Sequence, residues 1–229
     1  MSSGIFLWGA KSQARIIAAE LTRAGTPPGM LFDATLSAPD FATSAGFCNT
    51  SGALAAALDR ARDFVVCIGG AHGAQRAALS HRLRDDWGLN PLTIISPQAG
   101  LDPEAVLGAG VQLMARAYIG LASRIGDYTL INTGATIDHE CVIGEGVHVM
   151  GAAAIAGRVT IGDHVTIGTN ATILPNLTIG RGAQIGAGAL VRRHVGENEV
   201  VVGNPARFLR LEPPVTDLAL LDQAFLRRR

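Results

Sequence analysis

The chain has 229 residues, enough for one large domain or two modest ones, and its 19 basic and 19 acidic residues give a formal net charge of zero. Without a basic excess, neither nucleic acid nor an anionic membrane is an expected partner, and any phosphate contact has to be local. The sequence shows no signal peptide and no membrane span, and its three scattered cysteines suit reduced thiols, so we expect a cytoplasmic protein.

The first part of the chain, residues 1–97, alternates short apolar runs with helix-like stretches. This alternation predicts βαβ units and a small Rossmann-like parallel sheet, whose ligands bind at the carboxyl ends of the strands. Helix N-termini at that edge favour an anion such as a pyrophosphate. The segment 37–52 is predicted to be a surface loop. Strands are expected at 5–9, 30–32, 64–68 and 91–96, and helices at 12–24 and 74–87.

Residues 98–210 carry a six-residue repeat. Every sixth residue from Leu101 to Val191 is Leu, Ile or Val, and glycine often follows it. A strand that turns a corner every six residues points one branched side chain inward per face, and stacked coils hydrogen-bond about 4.8 Å apart. The repeat therefore predicts a hexapeptide parallel β-helix. A solenoid without chemistry would show the same repeat, so function has to be argued from other residues.

The last segment, residues 211–229, is predicted to be a helical tail. From Thr216 onward it has the features of a capped helix with a basic C-terminal end. The basic end complements the helix dipole, so this segment needs no ligand to explain its charge.

The segment 132–148 contains the side chains best suited to chemistry. His139 lies two residues after an inward-facing anchor, at a corner where its side chain can project outward, and Glu140 follows it and could orient the imidazole. A neutral imidazole near pH 7 can take a proton from an amine or a hydroxyl nucleophile. Asn132 and His148 lie in neighbouring hexads, and coil stacking or a subunit interface could bring them near.

Other reactive side chains have simpler interpretations. Cys141 occupies a small inward position, so we expect it to pack rather than to act as a nucleophile. His164 and His194 have no flanking partner and are interpreted as surface corner residues. The histidines show neither the spacing nor the acidic or thiol partners of a zinc site, so we expect no metal requirement.

Two sequence motifs point to a known family. Residues 132–145 read Asn-Thr-x-x-x-Ile-x-His-Glu-Cys-Val-Ile-Gly-Glu, His148 follows three residues later, and Gly203-Asn-Pro-Ala stands near the end. With them, the chain resembles over nearly its whole length the bacterial nucleotide-sugar acyltransferase family. That family includes bacillosamine- and perosamine-pathway 4-amino-sugar N-acetyltransferases and sialic acid O-acetyltransferases. One difference lies at residues 9–13, where the family often reads Gly-x-x-Gly-His.

The resemblance implies an α/β N-terminal domain followed by a left-handed parallel β-helix with three six-residue faces per turn. It also implies acetyl-CoA as co-substrate, and a homotrimer with active sites between subunits; flat faces rich in small and aliphatic residues agree with such an assembly. His139 would be the general base, helped by Glu140. The acetyl-CoA groove would contain His148, Thr169 and Ala187, and the nucleotide-linked amino sugar would contact Lys11, Ser12, Gln13, Asp33, Ala34, Gly69 and Asn132.

Three functions fit these features. The first is N-acetylation of the amino group, at C4, of a nucleotide-linked amino sugar. The alternative is O-acetylation of a sugar hydroxyl, such as that of sialic acid, by the same machinery, and a third is a non-catalytic scaffold that binds sugar nucleotides. The intact His139–Glu140 pair argues against the scaffold, and the glycine-rich first domain favours a nucleotide-linked sugar over a free one. We therefore predict an acetyl-CoA-dependent N-acetyltransferase with His139 as general base.

Overall fold

The computed structural model describes residues 4–215, which form two compact units. Residues 4–68 and 78–92 make the first unit, and residues 69–77 and 93–215 make the second. The segment 69–77, assigned from the sequence to the first domain, therefore clusters with the β-helix. The expected C-terminal helix at 216–229 lies outside the described residues. Within the described part, no helix combines the length and the apolarity needed to cross a membrane.

A five-stranded parallel sheet forms the centre of the first unit. Its strands are β1 (Ile5–Trp8), β2 (Met30–Phe32), β3 (Gly46–Cys48), β4 (Asp63–Val66) and β5 (Asn90–Pro91), in the order β3-β2-β1-β4-β5. The helices are α1 (Ser12–Arg23), α2 (Ser51–Leu58) and α3 (Gly73–Asp85), of which α3 begins in the second unit. All four residues of β1 are buried, as expected for an unbroken apolar run in a central parallel strand.

The segment 37–52 is not simply a surface loop, and that prediction was wrong. It contains β3, which pairs in parallel with β2 so that Phe32 lies opposite Cys48, and it leads into α2. The Thr50 side chain caps α2 by accepting a hydrogen bond from the N–H of Ala53 at 3.4 Å. A strand of three residues is too short to show an alternating apolar pattern in the sequence. It forms because its backbone can hydrogen-bond to the free edge of β2.

The segment 91–96 is also not one strand. Asn90–Pro91 pairs with β4 in the first unit, whereas Ile94–Ile95 forms β6 and pairs with the first full coil of the β-helix. The segment reads Pro-Leu-Thr-Ile-Ile-Ser, with only Thr93 between its apolar residues, so no turn signal marks this division. It arises because the two ends pair with different sheets.

The second unit is a left-handed parallel β-helix with three faces, in which most strands are two residues long. Its first face consists of β6 (Ile94–Ile95), β9 (Gln112–Leu113), β12 (Leu130–Ile131), β15 (His148–Val149), β18 (Thr166–Ile167), β21 (Gln184–Ile185), β23 (Glu199–Val202) and β24 (Arg207–Leu211). Its second face consists of β7 (Gly100–Leu101), β10 (Tyr118–Ile119), β13 (Thr136–Ile137), β16 (Ala154–Ile155), β19 (Thr172–Ile173) and β22 (Leu190–Val191). Its third face consists of β8 (Val106–Leu107), β11 (Arg124–Ile125), β14 (Val142–Ile143), β17 (Thr160–Ile161) and β20 (Thr178–Ile179). Strands of successive coils pair in parallel with an offset of 18 residues, as Leu130 does with His148.

The interior of the β-helix is filled by the repeat anchors and by the small residues two positions before them. Ile137 and Ile155 are buried, as is Cys141, whose thiol donates a hydrogen bond to the carbonyl of Ala156 at 3.2 Å. Burial raises the pKa of the Cys141 thiol, which suits packing and not nucleophilic attack. At the corners the backbone turns through left-handed conformations, such as that of Glu140 with φ of 56°. The residues beside these corners therefore point outward.

Candidate active site

His139 lies at the corner between the second and the third face of the β-helix. Its backbone is held by Asp138, whose Oδ1 accepts the N–H of His139 at 2.8 Å. The imidazole is about half exposed, and its Nδ1 lies 2.9 Å from Oε2 of Glu140. The corner thus presents the ring to solvent in an orientation set by the neighbouring carboxylate.

Glu140 contacts a second cationic side chain. Its Oε2 also accepts a hydrogen bond from Nε of Arg158 at 3.0 Å, one coil further along the helix. The hydrogen bond with His139 lowers the pKa of Glu140, and that with Arg158 lowers it further, so the carboxylate is ionised at neutral pH. An ionised carboxylate can only accept, and Nδ1 of His139 therefore carries the proton and leaves the lone pair of Nε2 available. Arg158 was not singled out from the sequence, although its offset of 18 residues from Glu140 is the coil repeat.

Gly157 forms the surface next to the His139 ring. A β-carbon built on Gly157 would lie 2.5 Å from Cε1 of His139 and would collide with the ring as it is placed. Any side chain at this position would therefore force the imidazole to move. Gly157 is 18 residues after His139, so it too belongs to the coil directly stacked on the candidate base.

His148 lies on the first face and is 4% exposed. Its Nδ1 is 2.9 Å from the carbonyl oxygen of Gly70, which can only accept, so Nδ1 carries the proton. Burial, followed by the charge of Arg76, lowers the pKa of His148 to about 4, and the ring is therefore neutral at pH 7. Its Nε2 is buried and has no hydrogen-bond partner among the described residues.

Thr169 and Ala187 lie on the same side of the β-helix as His148. They follow β18, which pairs with β15, and β21, which pairs with β18, and both are exposed. The N–H of Gly188 donates to the carbonyl of Thr169 at 2.8 Å, which joins the two coils at this corner. The structure therefore places Thr169 and Ala187 at the corner between the first and second faces, beside the face that carries His148.

Within one chain, coil stacking does not bring His148 or Asn132 to His139. Asn132 lies at the corner between the first and second faces, where its Oδ1 accepts the N–H of Thr133 at 2.7 Å. In a prism with three faces, the corner that carries His139 is opposite the face that carries His148. The sequence left two ways to bring these residues to His139, stacking of coils within one chain and a subunit interface. The topology disfavours stacking within one chain.

The residues assigned to the nucleotide follow two neighbouring strands of the first unit. Lys11, Ser12 and Gln13 come after β1, and Asp33 and Ala34 come after β2, with which β1 pairs in parallel. The Asp33 carboxylate accepts hydrogen bonds from the N–H of Ala10 at 3.3 Å and from the N–H and hydroxyl of Thr35 at 2.9 and 2.7 Å. These bonds hold the carboxylate at the carboxyl edge of the sheet.

Gly69 lies in the second unit, next to His148. A β-carbon on Gly69 would be 3.9 Å from Cε1 of His148, an ordinary van der Waals contact. His194 and His164 also have defined surroundings. His194 accepts the N–H of Thr178 at 2.9 Å, and His164 is half-buried rather than a free surface residue. Residues 4–215 contain no group of three or more His, Cys, Asp or Glu side chains placed to hold a metal ion.

Comparison with known proteins identifies similar sequences and folds. The family described as Bacterial transferase hexapeptide (six repeats) matches residues 140–175 and 158–193. GDP-perosamine N-acetyltransferase from Caulobacter crescentus, solved in complex with CoA and GDP-perosamine, is 29% identical, with 92% of this chain and 98% of that chain covered and a TM-score of 0.82. The acetyltransferase domain of PglB from Neisseria gonorrhoeae, in complex with acetyl coenzyme A, is 26% identical, with 90% and 98% covered and a TM-score of 0.81.

A third solved structure has the same architecture. WeeI from Acinetobacter baumannii is 26% identical, with 90% of this chain and 99% of that chain covered and a TM-score of 0.78. No match was found among curated protein sequences. The repeat, the two-part fold and these likenesses over nearly the full chain confirm the resemblance to the hexapeptide-repeat nucleotide-sugar acyltransferases noted from the sequence, and they indicate that the protein is an acyltransferase.

Proposed function

We propose that the protein transfers the acetyl group of acetyl-CoA to the C4 amino group of a nucleotide-linked amino sugar, with His139 as general base. The observation that carries this proposal is the His139–Glu140 pair, in which the carboxylate holds Nδ1–H and leaves Nε2 free. The proposal is also supported by the solved relatives, since the Caulobacter crescentus enzyme was crystallised with CoA and GDP-perosamine and the PglB domain with acetyl coenzyme A.

The reaction follows from the properties of this pair. The amine nitrogen attacks the thioester carbonyl carbon, a C–N bond forms, and Nε2 of His139 takes the proton that the nitrogen loses. The C–S bond then breaks, and the imidazolium can return its proton to the CoA thiolate. The ionised Glu140 stabilises the imidazolium that exists between these two proton transfers.

The site is proposed to lie between subunits of a homotrimer. His139 lies at the corner opposite the face that carries His148, and Thr169 and Ala187 lie at a different corner, so a second copy is needed to bring them together. Apolar side chains surround the His139 corner: Leu121, stacked in the same column, is 46% exposed and Val142 on the next face is 47% exposed. A subunit contact would cover such a patch.

The first domain, residues 1–97, is proposed to select the nucleotide sugar, while residues 98–210 bind acetyl-CoA. Lys11 to Gln13 stand at the start of α1, where backbone N–H groups favour a phosphate, and Asp33 and Ala34 stand at the end of the neighbouring strand. Asn132 is proposed to contact the sugar. The three described cysteines are free and buried, which agrees with a reducing compartment such as the cytoplasm.

The decisive experiment measures release of CoA thiol with UDP-, GDP- and dTDP-linked 4-amino sugars and with the matching 4-hydroxy sugars and sialic acid. We expect turnover with one of the amino sugars and none with the hydroxy compounds. His139→Ala should lower kcat by about 10²- to 10⁴-fold, the usual contribution of a general base, with little change in substrate binding.

His194→Ala is the matched control, because His194 follows the last strand of the second face, away from His139, and its Nδ1 accepts the backbone N–H of Thr178. It should keep nearly the full kcat. Turnover of the hydroxy sugars alone would replace the proposal with O-acetylation. Binding of a nucleotide sugar without any thiol release across the panel would instead favour the scaffold.

A further inference from the structure

Arg76 is a charged side chain that is only 1% exposed and that the function proposed above does not use. It lies in the first turn of α3. Its Nε donates to the carbonyl of Tyr128 at 2.8 Å, and its Nη2 donates to the carbonyls of Gly146 and Val147 at 2.9 and 3.0 Å. Burial lowers the pKa of Arg76 to about 10, so the side chain remains a cation at neutral pH. A buried cation is costly unless it is hydrogen-bonded, and these carbonyls satisfy it.

The backbone of the same helical turn meets the same corner of the β-helix. A β-carbon on Gly73 would collide with the carbonyl oxygen of Gly146, and one on Gly146 would lie 2.8 Å from the carbonyl oxygen of Gly73. Two glycines face each other here because the backbones themselves are in contact. The start of α3 is therefore fixed to the β-helix both by packing at Gly73 and by hydrogen bonds from Arg76.

The loop that precedes this turn, residues 69–72, carries the carbonyl that orients His148. Gly70 supplies that carbonyl, and the N–H of Arg76 is bonded to the carbonyl of His72 at 2.9 Å. On the other side, Arg76 holds the carbonyl of Val147, the residue directly before His148. The Arg76 side chain thus holds the residue before His148, and the helical turn that contains Arg76 follows directly on the loop that supplies the Gly70 carbonyl.

We infer that Arg76 is a positioning residue of the proposed acetyl-CoA groove: it fixes the bond from Nδ1–H of His148 to Gly70 and so keeps Nε2 of His148 as a buried acceptor for an N–H or O–H group of the bound acyl donor. That the ligand is an acyl donor rests on the proposed function, whereas the orientation of the His148 ring is independent of it. The unpartnered Nε2 needs a donor, since a buried acceptor without one is unfavourable.

The charges around His148 agree with this role. The positive charge of Arg76 on α3 acts on the ring, and the carbonyl of Gly70 bonds it from the loop. The carbonyl favours a proton on Nδ1, while burial and the guanidinium oppose a second proton on Nε2. His148 therefore acts as an acceptor and not as a second acid or base.

The test compares the tautomer of His148 in the wild-type protein with that in Arg76→Lys and Gly73→Ala, using NMR of imidazole nitrogens labelled with ¹⁵N. Arg76→Lys keeps the positive charge but loses the several N–H donors of the guanidinium. Gly73→Ala keeps Arg76 but pushes the first turn of α3 away from Gly146. The control is Arg82→Lys on the same helix, where Nε pairs with Asp86 at a partly exposed position. Circular dichroism identifies the variants that are folded.

In the wild type we expect one tautomer, with the proton on Nδ1. Both folded variants should show a mixture of tautomers, and the KM for acetyl-CoA should rise about fivefold, as expected for the loss of one hydrogen bond, while Arg82→Lys changes neither. A wild-type protein with the proton on Nε2 would overturn the inference at once.

Folded variants that keep the wild-type tautomer and KM would also overturn the inference. Unfolding of both variants would overturn it as well, because Arg76 would then only stabilise the fold. If the wild type transfers no acetyl group, the proposed function fails, yet the NMR comparison still decides whether Arg76 positions His148.

Discussion

At the scale of single residues, the candidate base depends on a glycine as much as on its carboxylate partner. Gly157→Ala should displace the His139 ring, because the added methyl group would occupy the position next to Cε1. Since the base has to reach a proton within hydrogen-bonding distance, we expect kcat to fall by at least about tenfold while the protein stays folded. Steady-state kinetics with the best nucleotide sugar provides the measurement.

The matched control for this prediction is Gly52→Ala. A β-carbon at Gly52, in helix α2, meets no atom within 4 Å, so this variant should keep its kcat. Equal kcat values for Gly157→Ala and the wild type would show that the imidazole tolerates another position, and the static arrangement seen here would then not be the reactive one.

A second residue-scale prediction concerns the stability of the protein in acid. His148 has a pKa of about 4 in the folded protein and about 6.5 when unfolded. Between these values the unfolded chain binds the proton and the folded chain does not, so the free energy of unfolding should fall as the pH drops from 6.5 to 4. The shift in the pKa of His148 corresponds to a decrease of about 3 kcal/mol in the free energy of unfolding by pH 4. Above pH 6.5 the histidine makes no contribution to the pH dependence.

Urea unfolding at several pH values measures this dependence. His148→Gln cannot titrate, so it should lose that part of the decrease, and the difference between the two proteins should be confined to the range below pH 6.5. An identical pH dependence in both proteins would mean that His148 accepts a proton without cost, which is incompatible with its burial.

At the scale of elements, a two-residue strand such as β17 contributes one buried anchor and one outward side chain. Ile161 is 1% exposed and Thr160 beside it is exposed. Ile161→Ala should lower the free energy of unfolding by about 2–5 kcal/mol, because it leaves a cavity that the stacked coils cannot close. Thr160→Ala should change it by no more than about 0.5 kcal/mol.

Chemical denaturation of the two variants checks this contrast. If Ile161→Ala and Thr160→Ala lowered the free energy of unfolding equally, Ile161 would not be the buried residue that the repeat requires. The result also bears on the site, because the same alternation of inward and outward residues presents His139 at its corner.

At the scale of the whole molecule, the proposed trimer makes a prediction about mixed subunits. His139→Ala protein should have little activity, and at acetyl-CoA concentrations below the wild-type KM, His148→Ala protein should have reduced activity. If one subunit supplies His139 and its neighbour supplies His148, random mixing of equal amounts should give both residues at about one quarter of the sites. Co-refolding the two variants and assaying the mixture measures this recovery.

The control is each variant refolded alone, which should keep the low activity it had before mixing. A mixture no more active than its components would place both residues of a site in the same subunit. A mass measurement that finds a monomer at micromolar concentration would contradict the trimer itself.

Much of the β-helix could be predicted from the sequence, because its geometry depends on which residue types recur at short, regular intervals. A branched residue every six positions specifies which side chain points inward, and Ile137 and Ile155 are buried accordingly. The same count places His139 just past an anchor, where it has to point outward. The strands β1 and β2 and the helix α1 were also predicted, since each is a continuous apolar run or a helical stretch.

Only the tertiary structure revealed the contacts that depend on which segments pair. Strand β3 forms because β2 offers it an edge, and the run at 91–96 divides because its ends join different sheets. Arg158 reaches Glu140 only through the stacking of coils, and Arg76 reaches Tyr128 across 52 residues of chain. A sequence determines what each residue prefers to bury or expose, whereas a hydrogen bond between distant residues exists only after the backbone has brought its two partners together.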